Sequence, residues 1–125
     1  MVIDSDVLIW YLRGNQNARN AVNKNIPFKI SVINYMELMR GMKDKKELKL
    51  LQKHLRKWSV EILQVTENIS TRAMFLVEDY FLSHALELED AIIAATALEN
   101  QETLLTANDK HYKFIPNIQI NKFKP

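Results

Sequence analysis

Short apolar runs alternate along this chain with longer segments in which apolar residues recur at helical spacing. Val2 and Ile3 predict a very short strand, and residues 7–12 continue into an apolar helix that stops near Arg13-Gly14, where glycine is a natural terminator. Asn15 is placed to cap a second helix reaching about Lys24, Pro27 closes the turn after it, and residues 28–32 predict a second buried strand. The pattern is helical again from Asn34 to near Gly41, and a long helix follows over residues 43–58. Residues 60–65 predict a third strand, and Thr66 caps a helix running to about His84. Another helix covers residues 89–100, a fourth strand residues 103–106, and a short fifth strand residues 118–120.

On the helix over residues 43–58, Leu48, Leu51, Leu55 and Trp58 share one face at roughly 100° per residue. Lys46, Lys49, Lys53, Arg56 and Lys57 take the opposite face, so this helix is amphipathic and basic. Strands separated by helical segments pair in parallel through right-handed crossovers. The expected fold is therefore α/β: a three-layer α/β/α sandwich around a central, mostly parallel sheet of four to five strands. Neither a repeat nor a low-complexity segment interrupts the pattern.

Length and composition narrow the picture only a little. The 125 residues are 47% apolar, enough for one domain, 1–125, with one core of ordinary size. Seventeen Lys and Arg against fifteen Asp and Glu leave a net charge of +2, too small to name a partner. The absence of cysteine removes disulfides, thiol nucleophiles and Cys-ligated zinc, and fits a reducing compartment. The longest apolar runs, VLIWYL and AIIAATAL, are too short to span a bilayer, and no signal-like segment opens the chain. A cytoplasmic protein with no membrane partner is expected.

The acidic residues carry more information. Open parallel sheets bind ligands at the carboxyl ends of their strands. Asp4 and Asp6 follow the first strand directly, Asn108 and Asp109 follow the TLLT strand, Asp90 lies in the first turn of the AIIAATAL helix, and Glu37 lies in the helix entered from the second strand. Four segments thus bring oxygen-rich side chains to one sheet edge. Crowded carboxylates raise one another's pKa unless a cation intervenes. A hard divalent cation such as Mg²⁺ or Mn²⁺ resolves that repulsion, because hard cations prefer oxygen ligands, make bound water more acidic and neutralise phosphate charge.

Plainer roles stand beside these. Asp6 could cap a helix starting at Val7, Glu37 could pair with Arg40 three residues on, and Asp90 could favour the helix dipole. Asp109 could be a solvated loop residue, and Thr106 a strand-end turn former as readily as an active-site hydroxyl. Asp4 is harder to assign so, because a carboxylate abutting a buried strand needs a partner. His54, His84 and His111 share no metal-like spacing and read as structural or surface residues. Two glycines in all leave no glycine-rich phosphate loop, and a serine triad has no support.

Four stretches in order, IDSDVLI (3–9), SVINYMELMRG (31–41), LELEDAIIAATAL (86–98) and LLTANDKHYKFIPNIQI (104–120), resemble those of the PIN domain. The resemblance is closest to the VapC-type toxins of bacterial and archaeal toxin–antitoxin pairs. It covers the whole chain; each stretch alone is weak, and the four at these spacings are specific. By that resemblance Asp4 matches the first metal-binding aspartate, Glu37 the acid of an S-x-x-x-x-x-E-L segment, and Asp90 the aspartate ahead of paired alanines. Ser5 stands where the family usually has Thr, and Asp6 where it has Asn or Asp. The position two after Thr106, often acidic in relatives, is Asn108, with Asp109 next to it as a possible substitute, which leaves a second metal open.

The resemblance implies a metal-dependent endoribonuclease toxin that cuts RNA and is neutralised by a cognate VapB-type antitoxin. It makes Asp4, Glu37 and Asp90 the catalytic metal ligands, with Asp6, Thr106, Asn108 and Asp109 as secondary metal or water-positioning groups. It also implies a homodimer. Lys46, Lys49, Lys53 and Arg56 are candidates to hold RNA by its phosphates, against a merely solvated face. Two other readings remain. An apolar strand followed by DSDV also fits haloacid-dehalogenase-like phosphatases, with Asp4 as nucleophile, although no acidic pair follows at a later strand end. Alternatively, a PIN-like module with an incomplete acidic site could bind RNA or protein without cutting, and Asn108 keeps that open.

Overall fold

The computed structural model describes residues 1–125. Its elements in order are β1 (Val2–Ile3), α1 (Ser5–Leu12), α2 (Gln16–Asn23), β2 (Lys29–Ser31), α3 (Val32–Arg40), α4 (Lys45–Lys57), β3 (Glu61–Leu63), α5 (Glu67–His84), α6 (Leu88–Glu99), β4 (Leu104–Thr106), a 3-10 turn (Asp109–His111) and β5 (Ile120–Lys122). The five strands form one sheet in the order β3-β2-β1-β4-β5, and every pairing is parallel.

Alternation along the strands divides the apolar residues between two layers. Val2 and Leu104 face the core under α5 and α6, whereas their neighbours Ile3 and Leu105 face the core under α1, α2 and α4. Register between β1 and β4 matches Val2 to Leu104 and Ile3 to Leu105, which keeps each layer uniformly apolar. Helix α4 turns Leu51, Leu55 and Trp58 into its core, with Leu48 half-buried, and leaves Lys46, Lys49, Lys53 and Arg56 exposed. Fully burying a leucine of this kind contributes about 1.5–3 kcal/mol. Trp58 packs against Phe28, Tyr11 and His54, while its indole Nε1 finds no hydrogen-bond partner.

Helix starts follow local capping chemistry. The Asn15 side chain accepts from Ala18 N at 2.9 Å, and Thr66 Oγ1 from Ile69 N at 3.2 Å, both as the sequence predicts. Several boundaries differ from those expected, β3 for one being confined to Glu61–Leu63, and two of the shifts have a visible cause. Helix α3 begins directly after β2 because Ser31 caps it, so Val32 is helical and not the last residue of a strand. Strand β5 lies at Ile120–Lys122, two residues past the expected 118–120, because pairing with β4 sets its register from Ile120 opposite Leu104. No helix is long and apolar enough to cross a membrane.

Candidate active site

Between β1 and β4 the chain leaves two neighbouring strands in opposite directions, β1 toward β2 and β4 toward β5. Such a point opens a crevice beyond the strands' carboxyl ends. Five of the six buried polar residues, Asp4, Ser5, Ser31, Asn34 and Thr106, lie at or just past the ends of β1, β2 and β4. The sixth, Thr96, donates its hydroxyl proton to the Ile92 carbonyl within α6. Polar burial in this protein is therefore concentrated at one edge.

Asp4 is the hub. Helix α1 starts at Ser5, so the capping position falls on Asp4 and not on Asp6. Asp4 Oδ1 accepts from Ser5 N at 2.9 Å and from Asn34 Nδ2 at 3.0 Å. Oδ2 accepts from Thr106 Oγ1 at 3.0 Å and from the Tyr112 hydroxyl at 3.1 Å. Burial, and then the nearby Asp6 carboxylate, push its carboxyl up to about 6.

Each remaining acid reaches Asp4 through one bridging donor. Glu37, on α3, accepts from Ser5 Oγ at 2.9 Å and from Asn34 Nδ2 at 3.5 Å, and makes no pair with Arg40. Its pKa is raised, first by burial. Asp90, in the first turn of α6, accepts from the Tyr112 hydroxyl at 3.1 Å through Oδ1, while its Oδ2 stands 3.2 Å from His111 Nδ1. Burial raises it as well, against the opposing charge of His111. Asp6 Oδ2 accepts from Ala107 N at 3.0 Å, Asn108 Nδ2 at 2.9 Å and Thr106 Oγ1 at 3.4 Å, and burial raises this carboxyl too.

No lysine or arginine forms an ion pair with Asp4, Asp6, Glu37 or Asp90. The structure thus draws together Asp4, Asp6, Glu37, Asp90, Thr106 and Asn108. Asp109 turns aside to Lys122 on β5 at 3.4 Å. Lys46, Lys49, Lys53 and Arg56 lie exposed along α4 and take part in no ion pair.

As they stand, no three acidic or imidazole groups close around a single ion. Asn34, Thr106 and Tyr112 space the carboxylates instead. The donor chemistry nevertheless suits a hard divalent cation: the set is all oxygen, anionic, buried enough to raise every pKa, and uncompensated by any fixed basic side chain.

Three residues of the cluster are not singled out by the sequence. Asn34 completes a capping box with Ser31, whose backbone N–H donates to Asn34 Oδ1 at 3.0 Å, and the spacing S-x-x-N was the available signal. His111, which sequence alone assigns to structure or surface, stands beside Asp90. Tyr112 lies six residues beyond Thr106 in an irregular segment, and no periodicity marks it.

A family model described as PIN domain matches residues 1–115. The ribonuclease VapC10 of Mycobacterium tuberculosis is 34% identical over an alignment of 126 residues, covering 95% of this chain and 90% of that protein. Among solved structures, a toxin–antitoxin complex from Klebsiella pneumoniae aligns with a TM-score of 0.79 at 30% identity, covering 94% of this chain and 93% of the other. VapBC2 from Rickettsia felis, bound to a DNA fragment from its promoter, shares the fold with a TM-score of 0.83 at 22% identity, over 98% of both chains.

Proposed function

The chain belongs to the PIN domain family, and from that premise we propose that it is a metal-dependent endoribonuclease toxin, neutralised by a cognate VapB-type antitoxin and acting as a homodimer. The family assignment sets aside the phosphatase reading. One observation carries the proposal: Asp4, Glu37 and Asp90 come from three separate elements into one hydrogen-bonded cluster that no lysine or arginine neutralises. Likeness to a named ribonuclease and to a toxin–antitoxin complex supports the activity and the partner.

Asp4, Glu37 and Asp90 would hold Mg²⁺ or Mn²⁺ through carboxylate oxygens. When bound there, such a cation supplies a more acidic water as nucleophile and neutralises charge on the scissile phosphate. Ser5 Oγ and the Asn34 amide orient Glu37 toward that position. Thr106 would stand beside the same position, donating to Asp4 at 3.0 Å with Asp6 at 3.4 Å, and Asn108 donates to Asp6. His111 stands at the mouth, 54% exposed, where a phosphate of the RNA can reach it. The exposed lysines of α4 add phosphate contacts without base recognition. Attack by water and not by a ribose 2′-hydroxyl leaves 5′-phosphate and 3′-hydroxyl ends.

The test uses protein freed of antitoxin and incubated with total RNA in Mg²⁺ or Mn²⁺, and in EDTA. Cleavage is expected with metal only, and is expected to fall at least about 100-fold in Asp4→Ala and Asp90→Ala, since losing a ligand removes the charge stabilisation. If both variants cut as well as the parent, the assignment is wrong. Metal-independent RNA binding without cleavage would identify a binding module instead.

A further inference from the structure

Asp4 carries four donors on two oxygens, which fills its lone pairs and leaves none for a cation. The two oxygens differ in what fills them. On Oδ1 the donors are the Ser5 backbone N–H and the Asn34 amide, the latter locked by its capping box with Ser31. Neither can turn away. On Oδ2 both donors are hydroxyls, each with a single proton and a second carboxylate in reach. Thr106 Oγ1 lies 3.0 Å from Asp4 Oδ2 and 3.4 Å from Asp6 Oδ2. The Tyr112 hydroxyl lies 3.1 Å from both Asp4 Oδ2 and Asp90 Oδ1.

We infer that Asp4 Oδ2 is the oxygen this site offers to a divalent cation, and that the Tyr112 hydroxyl is the positioning group that exposes it, by turning its one proton to Asp90 Oδ1. This rests on the metal-dependent reading above. The turn is a rotation about a C–O bond and moves no heavy atom. Tyr112 is fitted to it: its ring is 1% exposed, packed in the core with Ile115 and Leu104, so its oxygen has a fixed place. A tyrosine hydroxyl keeps its proton at neutral pH, so it acts as a neutral donor between the two carboxylates. Before a cation arrives, the proton screens two anions; afterwards it fixes the orientation of Asp90. Thr106 has the same option toward Asp6. The arrangement also accounts for the spacing of the acids, since the hydroxyl that bridges Asp4 and Asp90 keeps them apart.

Phenylalanine at this position fills the same space without the proton. Tyr112→Phe and the parent, both freed of antitoxin, are titrated with Mn²⁺ by calorimetry at pH 7.5, with thermal unfolding followed in parallel. Phenylalanine frees one lone pair on Asp4 Oδ2 but leaves Asp90 Oδ1 without the donor that orients it once the cation is bound. The loss of that orientation is the larger effect, so a cooperative transition with a Kd for Mn²⁺ raised about 10–100-fold is expected. An unchanged or lower Kd overturns the inference and leaves the metal reading standing; a parent that binds no Mn²⁺ overturns both. A crystal structure of the Mn²⁺-soaked parent decides the same question without a variant. Mn²⁺ on Asp4 Oδ2 with Tyr112 donating to Asp90 supports the inference, and ligation through Oδ1 with Tyr112 still on Asp4 overturns it.

Discussion

Replacing Asp4 with asparagine should make the metal-free protein more stable while destroying its site. The carboxyl is 6% exposed and is held at about 6 against an ordinary 3.8, by burial first and Asp6 second. For an acid whose folded value is raised, the favourable contribution is complete below the unfolded value and is lost as pH rises through the folded one. Between 3.8 and about 6, then, ionisation of Asp4 progressively weakens the fold. The difference corresponds to about 3 kcal/mol at pH 7.5 and about 1 kcal/mol at pH 4.5. Asparagine is as good an N-cap as aspartate. Its oxygen can accept from Ser5 N and Asn34 Nδ2, and its amide can donate to the oxygens of Thr106 and Tyr112, whose protons turn to Asp6 and Asp90. No buried polar group is left unpaired. In EDTA at pH 7.5, Asp4→Asn is expected to gain roughly 2–3 kcal/mol, a rise in Tm of about 8–12 °C for a chain of this size. At pH 4.5 the gain should shrink to about a third. Thermal unfolding by circular dichroism at the two pH values reads both, and Mn²⁺ titration confirms loss of binding. A Tm at pH 7.5 that is unchanged or lower, or a gain equal at both pH values, refutes the reasoning.

Asp109 is engaged by Lys122 and stands apart from the carboxylate cluster, so Asp109→Asn should retain RNA cleavage within about twofold; a loss of 100-fold would make it a ligand. Changing Lys46, Lys49, Lys53 and Arg56 together to glutamine should weaken RNA binding and lower the slope of log K against log salt by about 0.7 for each phosphate no longer neutralised, with kcat unchanged. A slope that does not move marks α4 as a solvated face. Ala85 ends α5 with φ 52° and ψ 39°, its N–H donating to the Phe81 carbonyl at 2.8 Å. Because glycine tolerates this left-handed conformation, Ala85→Gly should raise stability by about 1 kcal/mol, read as a higher urea midpoint.

What the chain declares locally, it declares well. Asn15 and Thr66 cap their helices because capping involves a side chain and an N–H three residues away. The apolar face of α4 buries as its spacing requires, and the two-residue β1 pairs at the centre of the sheet despite its length. The acids immediately behind β1 fall at the edge where most of the buried polar residues gather, since strand ends in a parallel sheet converge there.

Pairings across the sheet were another matter. Asp4 meets Tyr112 across 108 residues and Thr106 across 102, and neither meeting leaves a periodic trace in the sequence. The register of β5 was likewise set by β4, which pairs with the polar Asn121 and Lys122 that a strand pattern passes over. Residue order determined the elements, their caps and the placing of Asp4 behind β1, Glu37 within α3 and Asp90 in the first turn of α6, because those depend on neighbours a few positions apart. The strand order β3-β2-β1-β4-β5 alone decided which hydroxyl faces which carboxylate, because a hydrogen bond is fixed by ångströms in space and not by distance along the chain.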